Sequence, residues 1–216
     1  MKGMPHNLQM SPQFLANMYA ELFPLERGTF VEVGAFDGWS WSHTLCLAKL
    51  GWKGLYIEPQ LACAKLCEET HKDHPNITTV CCACGAIEEQ ADLYIKDATS
   101  SFVLNKVADI LGLSKDVKEC VQVRLLDNVL REQGIDAFDV LVVDVEGFEI
   151  EVLKGFDIVR YHPQLAIIET HELSGEPFRN AEGINETSVF CDAYFTKAKY
   201  TKLFADAGNT FYTRYK

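Results

Sequence analysis

Apolar runs in this chain end repeatedly on carboxylates and glycines. Phe30-Val31-Glu32-Val33 leads into Gly34-Ala35-Phe36-Asp37-Gly38. Leu55-Tyr56-Ile57 leads into Glu58-Pro59, and Val140–Val143 leads into Asp144-Val145-Glu146-Gly147. Cys84-Gly85-Ala86 and Glu169-Thr170-His171 punctuate the chain in the same way. Glycine has no Cβ, so a turn built on Gly34 and Gly38 lets a ligand lie against backbone. Glu58 stands 20 residues beyond Gly38. A carboxylate at that place can accept both hydroxyl hydrogens of a ribose.

The spacing helps decide which nucleotide. A dinucleotide turn reads GxGxxG and seats a pyrophosphate on a helix N-terminus. Here the turn is Gly34-x-x-x-Gly38, without the first close glycine pair, and Glu32 and Asp37 add negative charge. Carboxylates there repel a pyrophosphate and suit a ligand that carries a sulfonium and an ammonium. S-adenosylmethionine is therefore favoured over NAD. An NAD-dependent oxidoreductase and a non-catalytic ligand-binding domain stay open as rival readings.

The elements that must position these residues follow from hydrophobic period and turn chemistry. Ser11-Pro12 starts a helix with Phe14, Leu15, Met18, Tyr19 and Leu22 on one face, and Pro24 ends it. Strands are expected near 29–34, 53–58, 77–83, 121–126, 140–143 and 164–169, with 91–96 as an antiparallel partner of the third. Helices are expected near 40–50, 61–69, 146–154 and 189–197, and after Asp127 as a cap up to Gly134. Residues 97–113 read as loop and a short helix, and 172–188 as a long loop of functional character. Tyr200–Phe204 and Thr210–Tyr215 flank Asp206-Ala207-Gly208-Asn209, a hairpin signal. Val140–Val143 is apolar and β-branched throughout, as in a strand covered on both faces. The pattern predicts a doubly wound, mostly parallel α/β sheet with a C-terminal antiparallel hairpin. It is read as one domain over 1–216, a helical segment 1–27 preceding an α/β core 28–216.

Of 216 residues, 48% are apolar, and the net charge is −11. That balance speaks against a nucleic-acid surface. No run approaches a membrane span, and the polar start Met1–His6 has no signal-peptide character, which points to the cytoplasm. Eight cysteines in that setting are expected as reduced, mostly buried thiols. Cys82 and Cys84 would face one way and Cys81 the other, so the triplet does not converge on a metal. Oligomeric state leaves no trace in the sequence.

Three segments carry a resemblance. Phe30–Gly38, then Ser42-His43-Thr44-Leu45, then Leu50–Pro59 resemble the FkbM-type family of S-adenosylmethionine-dependent methyltransferases. Asp144-Val145-Glu146-Gly147-Phe148-Glu149-Ile150-Glu151-Val152-Leu153-Lys154-Gly155 resembles that family's DvEGxExxVLxG signature, and Ala83-Cys84-Gly85 fits a weaker position. The resemblance implies a class I methyltransferase fold with a seven-stranded sheet and O-methylation of a hydroxyl on a sugar, polyketide or similar small molecule. It places Glu32, Gly34, Phe36, Asp37, Gly38 and Ser42 on the methionine and ribose side. It puts Glu58 on the ribose hydroxyls, Pro59 at the adenine, and Gly85, Ala86 and Ser100-Ser101 at the adenine or the far side. Asp144 would sit beside the methyl group. The chain departs from the family at Val142, where a lysine is frequent, and at His43 in the SNT triplet.

Methyl transfer asks the protein to hold a hydroxyl in line with a strong electrophile and to take its proton. His171 and Asp144 are the candidate bases. Asp144, Glu146 and His171 are also possible ligands of a divalent ion, which is not favoured. Glu146 doubles as a first-turn helix carboxylate. His43 and His162 show no partner in sequence. Trp39 and Trp41 would wall the pocket or pack in the core.

Overall fold

A computed structural model describes residues 12–23, 27–94, 118–173 and 179–214. Helix α1 (Pro12–Leu22) precedes β1 (Thr29–Val33), α2 (Leu45–Lys49), β2 (Lys53–Ile57), α3 (Leu61–Thr70) and β3 (Ile77–Val80). Three strands follow, β4 (Ala83–Cys84), β5 (Glu89–Tyr94) and β6 (Lys118–Arg124), then α4 (Leu126–Glu132) and β7 (Val140–Val143). Helices α5 (Glu149–Lys154) and α6 (Ile158–Tyr161), β8 (Leu165–Glu169), α7 (Glu186–Lys197), β9 (Thr201–Ala205) and β10 (Asn209–Thr213) complete the order.

The seven-stranded sheet runs β3-β2-β1-β7-β8-β10-β9, and only β10 opposes its neighbours. The sheet, its one reversed strand and the helices on both faces form the class I methyltransferase architecture expected from the sequence. Period-two alternation divides the core. Val31, Leu55, Leu141 and Ile168 face α4, α5 and α7, whereas Phe30, Tyr56, Val142 and Ile167 face α1 and α2. β7 and β8 are buried along their whole length, as their unbroken apolar runs require. Helix α1 buries Leu15 and Tyr19, and Phe14 meets Phe204 edge to face at 6.2 Å. No helix among the described residues is long and apolar enough to cross a membrane.

Several elements depart from the sequence expectation for identifiable reasons. The helix expected near 40–50 starts only at Leu45, because the backbone donors before it are taken by carboxylates. Asp37 accepts from the Trp39 and Ser40 amides at 2.9 and 2.7 Å, and Glu32 accepts from the His43 amide at 3.2 Å. The strand expected over 77–83 is two strands in two sheets. β3 pairs with β2, whereas Ala83 and Cys84 pair with Val123 and Arg124 of β6. β5 likewise pairs antiparallel with β6, not with β3. Asp127 does not cap α4, whose N-cap is Leu125; its carboxylate accepts from the Asp157 amide at 2.9 Å. Helix α5 begins at Glu149, so its first-turn acids are Glu149 and Glu151, not Glu146. Cys82 and Cys84 are buried while Cys81 and Cys120 are exposed, and all eight thiols are free. Ser11, Pro24 and the whole segment 97–113 expected as loop and short helix, Ser100-Ser101 included, lie outside the described residues.

Candidate functional site

Strands β1 and β7 are neighbours, and from them the chain winds outward in opposite directions, so the sheet's switch point lies between their carboxyl ends. Gly34 ends β1 there at φ 88°, and a Cβ on it would lie 1.6 Å from the Asp144 carbonyl oxygen. Its bareness thus serves the close approach of two strand ends. Gly38 is bare for a related reason. A Cβ would meet Cys67 Sγ and His71 Nε2 at 2.7 Å, and its carbonyl pairs with His71 Nε2 at 2.9 Å.

Four non-glycine residues at this rim hold left-handed backbone: Phe36 (φ 49°), Trp41 (56°), Glu146 (55°) and His171 (50°). Such strain persists only where surrounding contacts over-determine it, and it gathers at functional sites. Phe36 is fixed by its amide, which donates to Glu58 Oε2 at 2.9 Å. Glu58 Oε1 accepts from the Gln60 amide at 2.8 Å. Among the described residues each oxygen takes one donor, which leaves it a further lone pair. Burial pushes this carboxyl up to about 7, against the pull of those two amides.

Glu32 points to the α2 side of β1 and is 2% exposed. Ser42 Oγ donates to it at 3.0 Å, and the Thr44 hydroxyl donates to the same oxygen. Burial raises its carboxyl despite His43 and these donors. His43 is buried beside it, its Nε2 3.8 Å from Asp144 Oδ2, beyond hydrogen-bond reach. Burial lowers the His43 imidazole, but Asp144, and then Glu32 and Asp206, outweigh it and hold the group above its usual value.

Past β7, Glu149 reaches back to accept from the Gly147 and Val145 amides at 2.9 and 3.2 Å, which closes the turn that carries Glu146. Burial, then Asp144 and Glu149, push Glu146 up to about 8. Glu169 at the end of β8 is raised by burial and by the same carboxylates. Its Oε1 pairs with His171 Nε2 at 2.9 Å. Burial lowers the His171 imidazole, opposed by Asp144 and Asp206.

Two cavities meet here. One touches Glu58, Pro59, Phe36, Leu93 and Phe148; the other touches Glu32, Trp41, Ser42 and Glu169. Gly34, Phe36, Asp144 and Glu146 border both. Of the residues singled out in the sequence, Glu32, Gly34, Phe36, Ser42, Glu58, Pro59 and Asp144 line one or both cavities. Asp37, Gly38, Gly85, Ala86 and His171 line neither cavity. Asp37 instead closes the turn on Ser40, whose Oγ donates at 2.8 Å. Gly85 packs under Val123 and Phe148, where a Cβ would sit 2.7 and 3.1 Å from their side chains. The conceivable metal set also changes. Asp144 and Glu146 are joined by Glu169, and His171 stands behind Glu169. Sequence reasoning placed Glu169 at a strand end, as it did Glu58 and Asp144, but gave it no role. It also missed His43, whose burial depends on packing of α1: Tyr19 donates to the His43 carbonyl at 3.0 Å.

Comparison with known proteins gives the same frame. Over 70 residues the chain is 44% identical to methyltransferase sdnD of Sordaria araneosa, a match that spans 27% of this chain and 26% of that protein. The chain thus covers only about a quarter of that relative. The crystal structure of precorrin-6y C5,15-methyltransferase from Geobacter metallireducens GS-15 superposes over 99% of this chain and 93% of that one. Its TM-score is 0.53 at 10% identity, a likeness of fold. The model of the methyltransferase FkbM domain matches residues 32–201. The chain belongs to the FkbM methyltransferase domain family.

Proposed function

We propose that the protein is an S-adenosylmethionine-dependent O-methyltransferase acting on a hydroxyl of a small molecule or glycan. The observation that carries this reading is Glu58, a buried strand-end carboxylate that holds two backbone donors and has lone pairs left to offer the first cavity. That donor set fits a nucleoside. Ribose hydroxyls would donate to Glu58, with Pro59, Phe36 and Leu93 around the base. Among the described residues no Lys or Arg lines either cavity, and those that do would offer a pyrophosphate Glu58, Asp144 and Glu146 without a counter-charge. This supports the sulfonium ligand over NAD.

When bound, S-adenosylmethionine supplies a methyl group on a cationic sulfur. Asp144 borders both cavities, and in this reading it faces the methyl donor on one side and the acceptor on the other. It accepts the hydrogen bond of the acceptor hydroxyl and so orients its oxygen. Glu169 and His171 stand behind as a hydrogen-bonded pair that can pass the proton away. Trp41, 66% exposed on the second cavity, offers a flat face to a sugar or other acceptor. The eight free thiols support a cytoplasmic setting.

Calorimetry with S-adenosylmethionine and NAD side by side tests the reading, followed by transfer of a labelled methyl group to hydroxylated sugars and polyketides. Saturable binding of the sulfonium nucleoside alone and a labelled methyl ether on the acceptor are expected. Binding of NAD instead, or label on nitrogen or carbon acceptors only, would overturn it.

A further inference from the structure

We propose that Asp144, Glu146 and Glu169 form a site for one hard divalent cation, of the Mg²⁺ or Mn²⁺ kind, in the Trp41-side cavity. The three carboxylates come from the adjacent ends of β7 and β8, and one oxygen from each lies within 4.8 Å of the others. Two donors on one ion can be no farther apart than twice the bond length, about 4.2 Å for Mg²⁺ and up to about 5.2 Å for the longer bonds of Ca²⁺, so around the smaller ion the carboxylates close in by side-chain rotation. An all-oxygen set selects a hard cation over zinc or copper. All three residues line the same cavity, so an ion there is reachable from solvent and has room for further ligands.

Crowded acids alone would not make a site. Two buried groups, one within the set and one beside it, have polar capacity that the fold does not use. Glu169 is 9% exposed, and its Oε2 is buried with no hydrogen-bond partner while Oε1 takes His171. His43 is 3% exposed, neither ring nitrogen has a hydrogen-bond partner, and Nε2 aims at Asp144 from 3.8 Å. The ion pairs made by Asp144 and Glu169 among the described residues are to histidines, not to Lys or Arg. A cation bound by the three carboxylates would satisfy Glu169 Oε2 and balance the charge that the histidines only partly meet. Its role deepens the methyl-transfer reading and rests on it. The acceptor hydroxyl oxygen would bind the ion directly, which fixes its position and acidity beside Asp144.

The full chain, stripped with a chelator, would be titrated with Mn²⁺, and free Mn²⁺ read by electron paramagnetic resonance. One Mn²⁺ per chain is expected. Glu169→Gln and Asp144→Asn should each weaken uptake at least tenfold. Glu151→Gln, an exposed acid paired with Lys154, should leave uptake unchanged. Glu146→Gln, on the rim turn, should also weaken it, and it keeps the test open should a buried variant fail to fold. Absent uptake, or uptake that none of the cavity variants weakens, overturns the site. Calorimetry with S-adenosylmethionine in the presence of chelator separates the two proposals. Nucleoside binding without Mn²⁺ uptake refutes only the cation site. Mn²⁺ uptake without nucleoside binding refutes only the transfer reading.

Discussion

Glu58 gives the sharpest quantitative expectation. In the free protein its carboxyl is pushed up to about 7 by burial. A ribose whose two hydroxyls donate to it needs the ionised form, because a protonated carboxyl loses acceptor capacity. Below pH 7 the proton must leave before the nucleoside seats, at about 1.4 kcal/mol per pH unit. The dissociation constant of S-adenosylmethionine should therefore be about tenfold weaker at pH 6 than at pH 8.5, and flat above about pH 7.5. At pH 6.5 roughly three quarters of a proton should be released per molecule bound, a quantity read from calorimetry in buffers of different ionisation enthalpy. Glu58→Gln should weaken binding by about 1.5–3 kcal/mol and abolish both the slope and the proton release. The same shift acts on folding with a definite sign. The folded carboxyl binds its proton more tightly than the unfolded one, so its stabilisation is full below about pH 4.5 and is lost as pH rises through about 7. Glu58→Gln should thus gain up to about 3 kcal/mol relative to the parent between pH 5 and 8. A dissociation constant that is flat from pH 6 to 8.5, or a slope that survives Glu58→Gln, would refute the reasoning.

Two further substitutions test the frame beneath the cavities. Gly34→Ala should fail to fold or lose more than about 4 kcal/mol, since its Cβ would lie 1.6 Å from the Asp144 carbonyl oxygen. Gly51→Ala shares a positive φ but meets nothing within 4 Å, so it should cost only about 1–2 kcal/mol. Equal losses in urea melts would show that backbone conformation, not contact, governs Gly34. Thr44→Val removes a buried hydroxyl that donates to Glu32 and lies 3.1 Å from the Tyr56 hydroxyl. A cost of about 1–3 kcal/mol is expected, with the melting temperature lowered by about 3–10 °C. An unchanged melting temperature would show that Ser42 and the His43 amide satisfy Glu32 without it.

Much of the parallel sheet could be read from the sequence because burial on both faces leaves an unmistakable trace. Val140–Val143 and Leu165–Glu169 carry almost no polar residue until they reach the rim. The misread segments are those settled by distant partners. Nothing local divides Ile77–Ala83; the division arises because Ala83 finds Val123 while β3 stays with β2. The late start of α2 follows from Glu32, ten residues upstream, capturing the Ser42 hydroxyl and neighbouring donors. The site divides in the same manner. Glu58, just before Pro59, and Asp144, three residues before Gly147, are legible as acids at strand ends. His43 is not, because a lone histidine acquires meaning only once Tyr19 and Asp144 close around it. Asp37 and Gly38 look like ligand contacts in sequence, yet they are absorbed in holding the turn against Ser40 and His71.

The shared border of the two cavities has a practical corollary. Gly34, Phe36, Asp144 and Glu146 belong to both. A nucleoside joined by a short tether to an acceptor-like head would need to pass only those residues to fill both spaces at once. Confining the second group near its chamber raises its effective concentration to the millimolar range, and the combined affinity can exceed that of either half by about 10²–10⁴. The nucleoside half would bind wherever a similar ribose-holding acid exists. The head, lying against Trp41 and Glu169, would carry the discrimination, so a series of heads on one nucleoside would report the acceptor's shape before any natural acceptor is identified.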